Sequence, residues 1–196
     1  MKNQTIKPII YFFILVFFYS CNNENIEIPK EKSYFRISTP KNEYTKYHYK
    51  NRYSFYKSTL AEIVYDTIET RHKDWININY PKYSAKIHIS YKVVNNNLNE
   101  YLDDSQNFVS KQIQKSTGIN ETVLGYPNKK VYGIIYDIGG SNVASPIQFY
   151  FTDSTNNFIR GSLYFNVFPN NDSLEPIIDF IKKDIYNIAN SLEWLE

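Results

Sequence analysis

The predicted elements along the chain indicate an α+β fold, in which a twisted antiparallel sheet is backed by two amphipathic helices. Strand-like segments with alternating apolar and polar residues follow one another through short turns, and such strands pair antiparallel. Two other segments carry apolar residues at helical spacing, and helices with one apolar face must cover a sheet face. Residues 34–196 are enough for one domain with a sizeable core.

The first strands are predicted near residues 53–56 and 62–66. The clearest pair follows at residues 75–80 and 85–92, on either side of a break that begins at Pro81. Apolar and polar residues alternate in both segments, so one face of each is expected to be buried. Alternation on both sides of a short break predicts a β-hairpin. The expected core-facing residues are Ile76, Ile78, Tyr80, Ala85, Ile87, Ile89 and Tyr91.

The period changes after this hairpin, where apolar residues recur at spacings of three, four and seven. This spacing predicts a helix with one apolar face. Asn97 and Glu100 resemble a capping box at its start, and Gly118 is the expected stop. The predicted apolar stripe consists of Leu98, Tyr101, Leu102, Phe108, Val109 and Ile113.

Strand patterns then return over residues 122–126, 131–138, 147–152 and 158–166. The polar residues 153–157 form the expected turn between the last two strands. Glycines inside two of these segments, Gly133 and Gly161, indicate close packing or bulges.

The last predicted element is a second helix that opens at Asp172, with Glu175 in the capping-box position. Its apolar stripe consists of Ile177, Ile181, Ile185, Ile188 and Leu192. The resulting order of strands, helix, strands and helix resembles the PsbP/Mog1-like sandwich. This resemblance concerns the order of elements and implies nothing about function.

Residues 1–20 predict a signal peptide. Lys2 and Lys7 form a short positive region, and residues 9–18 are an uninterrupted apolar and aromatic run. At about 1.5 Å per residue, this run spans roughly half of a hydrocarbon core of ~30 Å. A run of this length is typical of a signal-peptide core and is short for a transmembrane helix.

Cys21 is the only cysteine in the sequence, and it directly follows the apolar run and Tyr19-Ser20. This placement resembles a bacterial lipobox, although Phe18 stands where leucine is usual; the alternative is an ordinary buried thiol. We predict that Cys21 is lipidated, and that two or more acyl chains hold it stably in a membrane. Residues 21–33 are then the lipidated cysteine and a flexible tether, and residues 34–196 are a single domain.

The formal net charge of +2 comes entirely from the predicted signal peptide. The sequence has 22 Lys and Arg against 20 Asp and Glu, and residues 1–20 contain Lys2, Lys7 and no acid. The remaining chain therefore carries 20 basic and 20 acidic residues. A neutral exported domain is not expected to bind nucleic acid.

No arrangement of catalytic residues stands out in the sequence. The three histidines, His48, His72 and His88, lack the helical spacing of metal ligands. His88 lies on the polar face of its predicted strand, so we expect it to be solvated. Gly139-Gly140-Ser141 is not followed by a helix, which indicates a turn and not a phosphate site. We therefore expect no enzymatic activity, no metal, no cofactor beyond the lipid on Cys21, and no small-molecule substrate.

A dense run of tyrosines interleaved with basic residues lies between residues 44 and 56. Tyrosine is enriched where an apolar surface meets water, as at interfaces and sugar-binding faces. The alternative is compositional, because plentiful Asn, Lys, Ile, Tyr and Phe accompany AT-rich coding. Tyr47, Tyr49 and Tyr53 are therefore predicted as interaction or structural residues.

Several segments share a family pattern. They are Tyr34-Phe35-Arg36-Ile37, residues 75–81 running into 85–92, residues 144–154 continuing through 158–165, and residues 169–176 with the following helix. Together and in this order they resemble the gliding-motility lipoprotein GldD family of Bacteroidetes. Asp153 and Arg160 lie in the most family-like segment, where we predict a charge-assisted turn contact or an interaction role.

The resemblance implies a part in gliding motility and in the associated type 9 secretion system, with no known catalytic residue. We therefore predict a lipid-anchored accessory component that acts by contact with other gliding and secretion proteins. Its domain is expected to face the periplasm, from the outer membrane in preference to the inner membrane. The alternative is an envelope polysaccharide-binding module or hydrolase that uses the tyrosine-rich surface.

Overall fold

The computed structural model describes residues 39–65 and 75–195, which form ten strands and two α-helices. The strands are β1 Tyr44–Tyr49, β2 Tyr53–Ser58, β3 Glu62–Tyr65, β4 Trp75–Tyr80, β5 Ala85–Val93, β6 Gly118–Tyr126, β7 Val131–Gly139, β8 Ile147–Thr152, β9 Asn157–Phe165 and β10 Glu193–Trp194. The helices are α1 Leu98–Ser110 and α2 Asn171–Ser191. The predicted signal peptide, Cys21, the predicted tether and His72 lie outside the described residues.

Seven of the strands form one antiparallel sheet in the order β3-β4-β5-β9-β8-β7-β6. A smaller antiparallel sheet has the order β1-β2-β10. The predicted hairpin of β4 and β5 is present, and its register pairs Ile78 with Ile87. The predicted α+β class, an antiparallel sheet with two helices, is confirmed.

One face of the large sheet carries the main core. The predicted core-facing residues of β4 and β5 are all buried, together with Ile135, Phe149, Phe151 and Leu163 from the neighbouring strands. Helix α2 packs on this face with its predicted stripe, in which Ile181 and Ile185 have no exposed surface. Full burial of an aliphatic side chain contributes about 1.5–3 kcal/mol, so this stripe holds α2 in place.

Helix α1 lies on the opposite face of the large sheet. Val109 forms a second small core with Tyr136, Ile138 and Val143. The predicted stripe is only partly buried, because Phe108 and Ile113 keep 42% and 56% of their surface exposed. The face of the sheet beside α1 is therefore incompletely covered.

Both predicted capping boxes are absent from the structure. At α1, Asn97 accepts a hydrogen bond from the Asn95 N–H and donates to the Tyr101 hydroxyl, so its side chain does not cap the helix. At α2, which begins at Asn171, the side chain of Asn171 donates to two carbonyl oxygens in the loop after β7. That contact fastens the start of α2 to the sheet in place of a cap.

The first helix also ends earlier than its pattern predicts. The α-helical part stops at Ser110, a short 3-10 turn covers Ile113–Lys115, and Gly118 begins β6 instead of ending the helix. Ile113 is exposed and does not pack into the core, so another helical turn would gain no stabilisation from apolar burial at this residue.

The close packing predicted at the strand glycines is confirmed. A Cβ atom on Gly161 would lie 2.0 Å from Cζ of Phe149, and one on Gly133 would lie 2.0 Å from the carbonyl oxygen of Tyr150. Only glycine fits at either position. Within the two described ranges, neither helix combines the length and the apolar character that crossing a bilayer requires.

Candidate functional site

A groove of about 400 Å³ lies between α1 and the uncovered face of the large sheet. Its aromatic lining consists of Trp75, Tyr101, Phe108, Phe158 and Tyr164. Its polar lining consists of His88, Ser90, Lys92, Asp104, Arg160 and Ser162. These residues come from β4, β5, β9 and α1, and we refer to the site as the α1 groove.

Arg160 lies at the centre of the α1 groove because of the alternation in β9. Phe158, Arg160 and Ser162 face the groove, while Ile159 and Leu163 face the main core. The register places Arg160 beside Ser90 of β5 on one side and Tyr150 of β8 on the other. The pairing of three adjacent strands thus fixes the point at which the Arg160 side chain leaves the sheet.

The Arg160 guanidinium has two neighbours. Nη2 donates to Oε1 of Gln148 at 2.9 Å, and Cζ lies 4.0 Å from the centroid of the Phe108 ring. Within residues 39–65 and 75–195, no carboxylate forms an ion pair with it. Burial lowers the pKa of Arg160, while Tyr164 and Asp104 act in the opposite direction. The side chain nevertheless stays charged at neutral pH, as arginine does in proteins.

A weak ion pair lies at the rim of the α1 groove. Lys92 Nζ is 3.8 Å from a carboxylate oxygen of Asp104 and 4.4 Å from the centroid of the Tyr101 ring. Both charged groups are largely exposed, and pairs of this kind contribute about 0–1 kcal/mol. Asp104 thus pairs with Lys92, and its effect on Arg160 acts over a longer distance than an ion pair.

Two polar side chains of the groove, His88 and Ser162, are shielded from water to different degrees. His88 lies on the predicted polar face of β5 but is half-buried, with its ring packed edge-on against Tyr164 at 5.4 Å between centroids, so it is only partly solvated. Ser162 is 1% exposed, and its hydroxyl finds no hydrogen-bond partner in the described structure. A buried polar group without a partner costs about 1–3 kcal/mol.

Asp153 closes the turn between β8 and β9. Its Oδ1 accepts from the N–H groups of Thr155, Asn156 and Asn157 at 2.9, 2.8 and 2.9 Å, and Oδ2 accepts from Asn157 Nδ2 at 2.7 Å. Burial alone would raise the pKa of Asp153, but the bonds from the turn outweigh it and lower the pKa. The turn contact predicted jointly for Asp153 and Arg160 thus involves Asp153 alone, because Arg160 lies in the middle of β9.

The tyrosine run does not form a continuous docking surface. Tyr49 and Tyr53 have no exposed surface and stack on each other at 5.0 Å between ring centroids. Of the two roles predicted for Tyr49 and Tyr53, interaction or structural, their burial fits the structural one, because β1 and β2 form a hairpin that turns these rings into the main core. Tyr47 is half-buried, and its hydroxyl lies 3.3 Å from that of Tyr65.

A buried carboxylate that the sequence reasoning missed lies on the core side of α2. Asp184 Oδ1 accepts from Asn42 Nδ2 at 2.6 Å and from the Tyr44 hydroxyl at 3.0 Å, and Oδ2 accepts from the Tyr80 hydroxyl at 2.9 Å. Its burial raises its pKa, against the lowering effect of these bonds. A signal existed, because Asp184 stands three residues after Ile181 and therefore on the apolar side of the helix.

The described residues offer no metal site, since no three His, Cys, Asp or Glu side chains there come together around one point. Gly139 ends β7, and Gly140-Ser141 follow as the predicted turn, where Gly140 has a φ of 131°. The first helix carries Asp103 and Asp104, but only Asp104 lines the α1 groove. The described lining of the α1 groove contains one carboxylate, Asp104, whereas a glycosidase uses a pair.

Comparison with known proteins shows a family and a similarity to a solved structure. Residues 24–194 match a family model described as gliding motility lipoprotein GldD. Among solved structures, the chain is similar to the solution structure of cyanobacterial PsbP (CyanoP) from Synechocystis sp. PCC 6803. The identity is 12% and the TM-score 0.49, over 77% of this chain and 92% of that chain. No curated protein matches the sequence.

Proposed function

The chain belongs to the gliding motility lipoprotein GldD family, and from this premise we propose that it is a lipid-anchored accessory component of the gliding and type 9 secretion apparatus. In this proposal it acts by protein–protein contact and performs no catalysis. Cys21 carries the lipid, and the domain faces the periplasm, with the outer membrane favoured. Cys21 lies outside the described residues, so the support for its role is the apolar run before it and the family.

The α1 groove is the observation that supports a contact function. Trp, Tyr and Arg are enriched among the residues that dominate the energy of protein interfaces, and all three occur in this groove. Phe108 stands at its edge with 42% of its surface exposed, although α1 could have buried it. An aromatic groove with a central cation and an exposed rim is suited to receive a partner.

Complementation of a deletion strain tests this proposal. We expect loss of colony spreading and of type 9 secretion on deletion, restored by the wild-type gene. Cys21→Ala should weaken both activities, because the protein is no longer held at the membrane. Normal spreading and secretion in the deletion strain would contradict the proposal.

A matched pair of variants separates the α1 groove from general surface effects. Phe108→Ser removes an exposed aromatic ring that lines the groove, and Ile113→Ser removes an exposed aliphatic side chain outside it. At equal protein levels, Phe108→Ser should reduce spreading while Ile113→Ser restores it fully. Equal activity of the two variants would locate the contact surface elsewhere.

The same groove gives some support to a second candidate, an envelope polysaccharide-binding module. Aromatic rings in a concave site are typical of sugar binding, but here they lie beside α1 and not in the tyrosine run. Asp104 is the one carboxylate in the lining, and Lys92 pairs with it. Co-sedimentation with isolated envelope polysaccharide, compared between wild type and Phe108→Ser, would reveal such binding.

A further inference from the structure

We propose that the α1 groove binds an acidic peptide segment of a partner protein, with a partner carboxylate on Arg160 and an adjacent apolar side chain against Phe108 and Tyr164. This inference rests on the proposed function and names the chemistry of the partner. It follows from three properties of the groove, namely its charge, its aromatic walls and the buried Ser162 hydroxyl, which has no hydrogen-bond partner in the described structure.

The charged residues of the groove favour an anionic ligand. Arginine has five N–H donors in a planar fork that matches a carboxylate, and Arg160 uses one of them on Gln148 among the described residues. Lys92 and Asp104 offset each other at the rim. Arg160 is therefore a partly desolvated cation that has no ion pair among the described residues, with Asp104 acting on it only from a longer distance, and an incoming carboxylate would supply the missing bidentate pair.

The aromatic walls of the groove favour an apolar group next to that anion. The ring of Phe108 lies 4.0 Å from the guanidinium carbon, and Tyr101 and Phe158 pack together at 5.4 Å between centroids. A carboxylate surrounded by water would make no use of these rings. A carboxylate one residue away from an aromatic or aliphatic side chain would contact the rings and the cation together.

The floor favours a peptide over an anionic lipid or a fatty acid. Ser162 presents a buried hydroxyl without a partner in the described structure, and Ser90 and His88 line the same floor. The amide groups of a peptide can form a hydrogen bond with the Ser162 hydroxyl, whereas an acyl chain would leave that hydroxyl unpaired. The groove is also open at the exposed rim of Phe108, so a longer chain can enter and leave it.

Selection from a random peptide library tests the proposal directly. The bait is the full lipoprotein, purified from its own membrane and held in lipid nanodiscs, so that the α1 groove is free of detergent. Peptides selected on the wild type should be enriched in Asp or Glu next to an aromatic or aliphatic residue. Selected peptides without an acidic preference would overturn the proposal, as would tighter binding of decanoate than of any selected peptide.

Arg160→Gln and Lys183→Gln form the matched comparison, because each removes one positive charge and Lys183 is exposed on α2, outside the groove lining. Arg160→Gln should weaken the best selected peptide about 10- to 100-fold, the range for one charged hydrogen bond, and should abolish its preference over the Glu→Gln peptide. Lys183→Gln should change neither quantity. A preference retained in Arg160→Gln, with the variant folded by circular dichroism, would overturn the proposal.

Spreading assays distinguish failure of this inference from failure of the proposed function. If the deletion strain does not spread but Arg160→Gln restores spreading fully at wild-type protein level, the peptide site is wrong and the accessory function stands. If the deletion strain spreads normally, the proposed function itself fails. Loss of spreading in both strains, together with the acidic preference above, supports the two proposals together.

Discussion

Two carboxylates, Asp184 and Asp153, are both held by hydrogen bonds but are shifted in opposite directions. Asp184 is almost fully buried. The free-energy cost of burying its charge exceeds the stabilisation from the hydrogen bonds of Asn42, Tyr44 and Tyr80, so its pKa is raised. Asp153 is half-buried, and the bonds from its turn exceed the effect of burial, so its pKa is lowered. The stability of the fold should therefore depend on pH in two opposing ways.

Asp184→Asn should flatten one part of the pH profile. Because its folded pKa is raised, the contribution of Asp184 to the free energy of unfolding is fully present below about pH 4, the ordinary range of Asp. That contribution is lost as the pH rises through the folded pKa. Urea denaturation from acid to neutral pH should therefore show a smaller fall in the variant than in the wild type.

Asp179→Asn is the control for this measurement, because Asp179 is exposed on the same helix. It should keep the wild-type profile. A wild-type profile in Asp184→Asn as well would show that the buried carboxylate is not the titrating group.

Asp153→Ala should destabilise the fold at neutral pH and much less in acid. The variant loses four hydrogen bonds to the β8–β9 turn, three of them from backbone N–H groups. A loss of about 1–2 kcal/mol is expected, toward the lower end because the carboxylate is partly solvated. The wild type should lose this advantage as the pH falls below about 4 and through the lowered folded pKa.

The measurement for Asp153 is the difference in unfolding free energy between wild type and variant across acid pH. Asp153→Asn keeps an acceptor oxygen for the backbone bonds and should lie between the two. A gap between wild type and Asp153→Ala that stays constant down to the acid limit of the fold would contradict this explanation.

At the scale of elements, the packing of β8 on β9 depends on one missing side chain. Phe149 occupies the space where Gly161 would carry a Cβ atom, at 2.0 Å from the ring. Gly161→Ala should therefore cost about 1–3 kcal/mol by overpacking. Combining it with Phe149→Leu should recover part of that cost, which a double-mutant cycle measures as a coupling of about 0.5–3 kcal/mol.

Gly125→Ala is the matched control for Gly161→Ala, since its added Cβ would meet only Cδ1 of Tyr132 at an ordinary 3.8 Å. It should stay within about 0.5 kcal/mol of the wild type. Additive costs of Gly161→Ala and Phe149→Leu would mean that the two sites do not share this space.

Elements with a strict period were predictable from the sequence, and those with amphipathic residues were not. The alternation of β4 and β5 and the stripe of α2 separate apolar from polar residues, and the structure confirms both. In β1, the tyrosines stand at positions 44, 47 and 49 among Thr, Lys and His, so no strict period marks the buried side of Tyr49. The two-residue β10 is too short for any period, and it forms because β2 offers an edge.

At the scale of the whole molecule, the C-terminal residues join separate parts of the fold. Trp194 Nε1 donates to the carbonyl oxygen of Lys130 at 2.9 Å, and the Leu195 N–H donates to that of Arg52 at 2.9 Å. Glu193 forms an ion pair with Lys46 at 2.7 Å. Strand β10 thus ties the small sheet to the turn between β6 and β7.

Truncation after Leu192 should therefore lower the melting temperature by several degrees, because a strand, an indole contact and an ion pair are lost together. At about 4 °C per kcal/mol for a domain of this size, thermal denaturation detects the change. The control is Glu193→Gln, which removes the exposed ion pair but keeps an acceptor oxygen for the Ser54 hydroxyl, and it should shift the melting temperature by about 2 °C or less. Equal melting temperatures for the truncated and full chains would contradict a role for β10.

The α1 groove is the part that the sequence could not predict. Its alternating residues Phe158, Arg160 and Ser162 are visible in the sequence, but their neighbours depend on β9 lying between β5 and β8. That placement brings Ser90 Oγ to 3.5 Å from the carbonyl oxygen of Arg160 across 70 residues of sequence. No short-range pattern carries information about a contact of this separation.

The position of β9 also determines when the groove can exist. During synthesis or passage across a membrane, the residues of β5 and α1 emerge long before those of β9, the strand that carries Arg160. Strand pairing over such a separation is slow, because the intervening loop must be ordered before the contact forms. A partner that requires the completed groove would thus bind only chains in which β9 has paired with β5 and β8. Its binding would therefore also depend on whether the domain has finished folding.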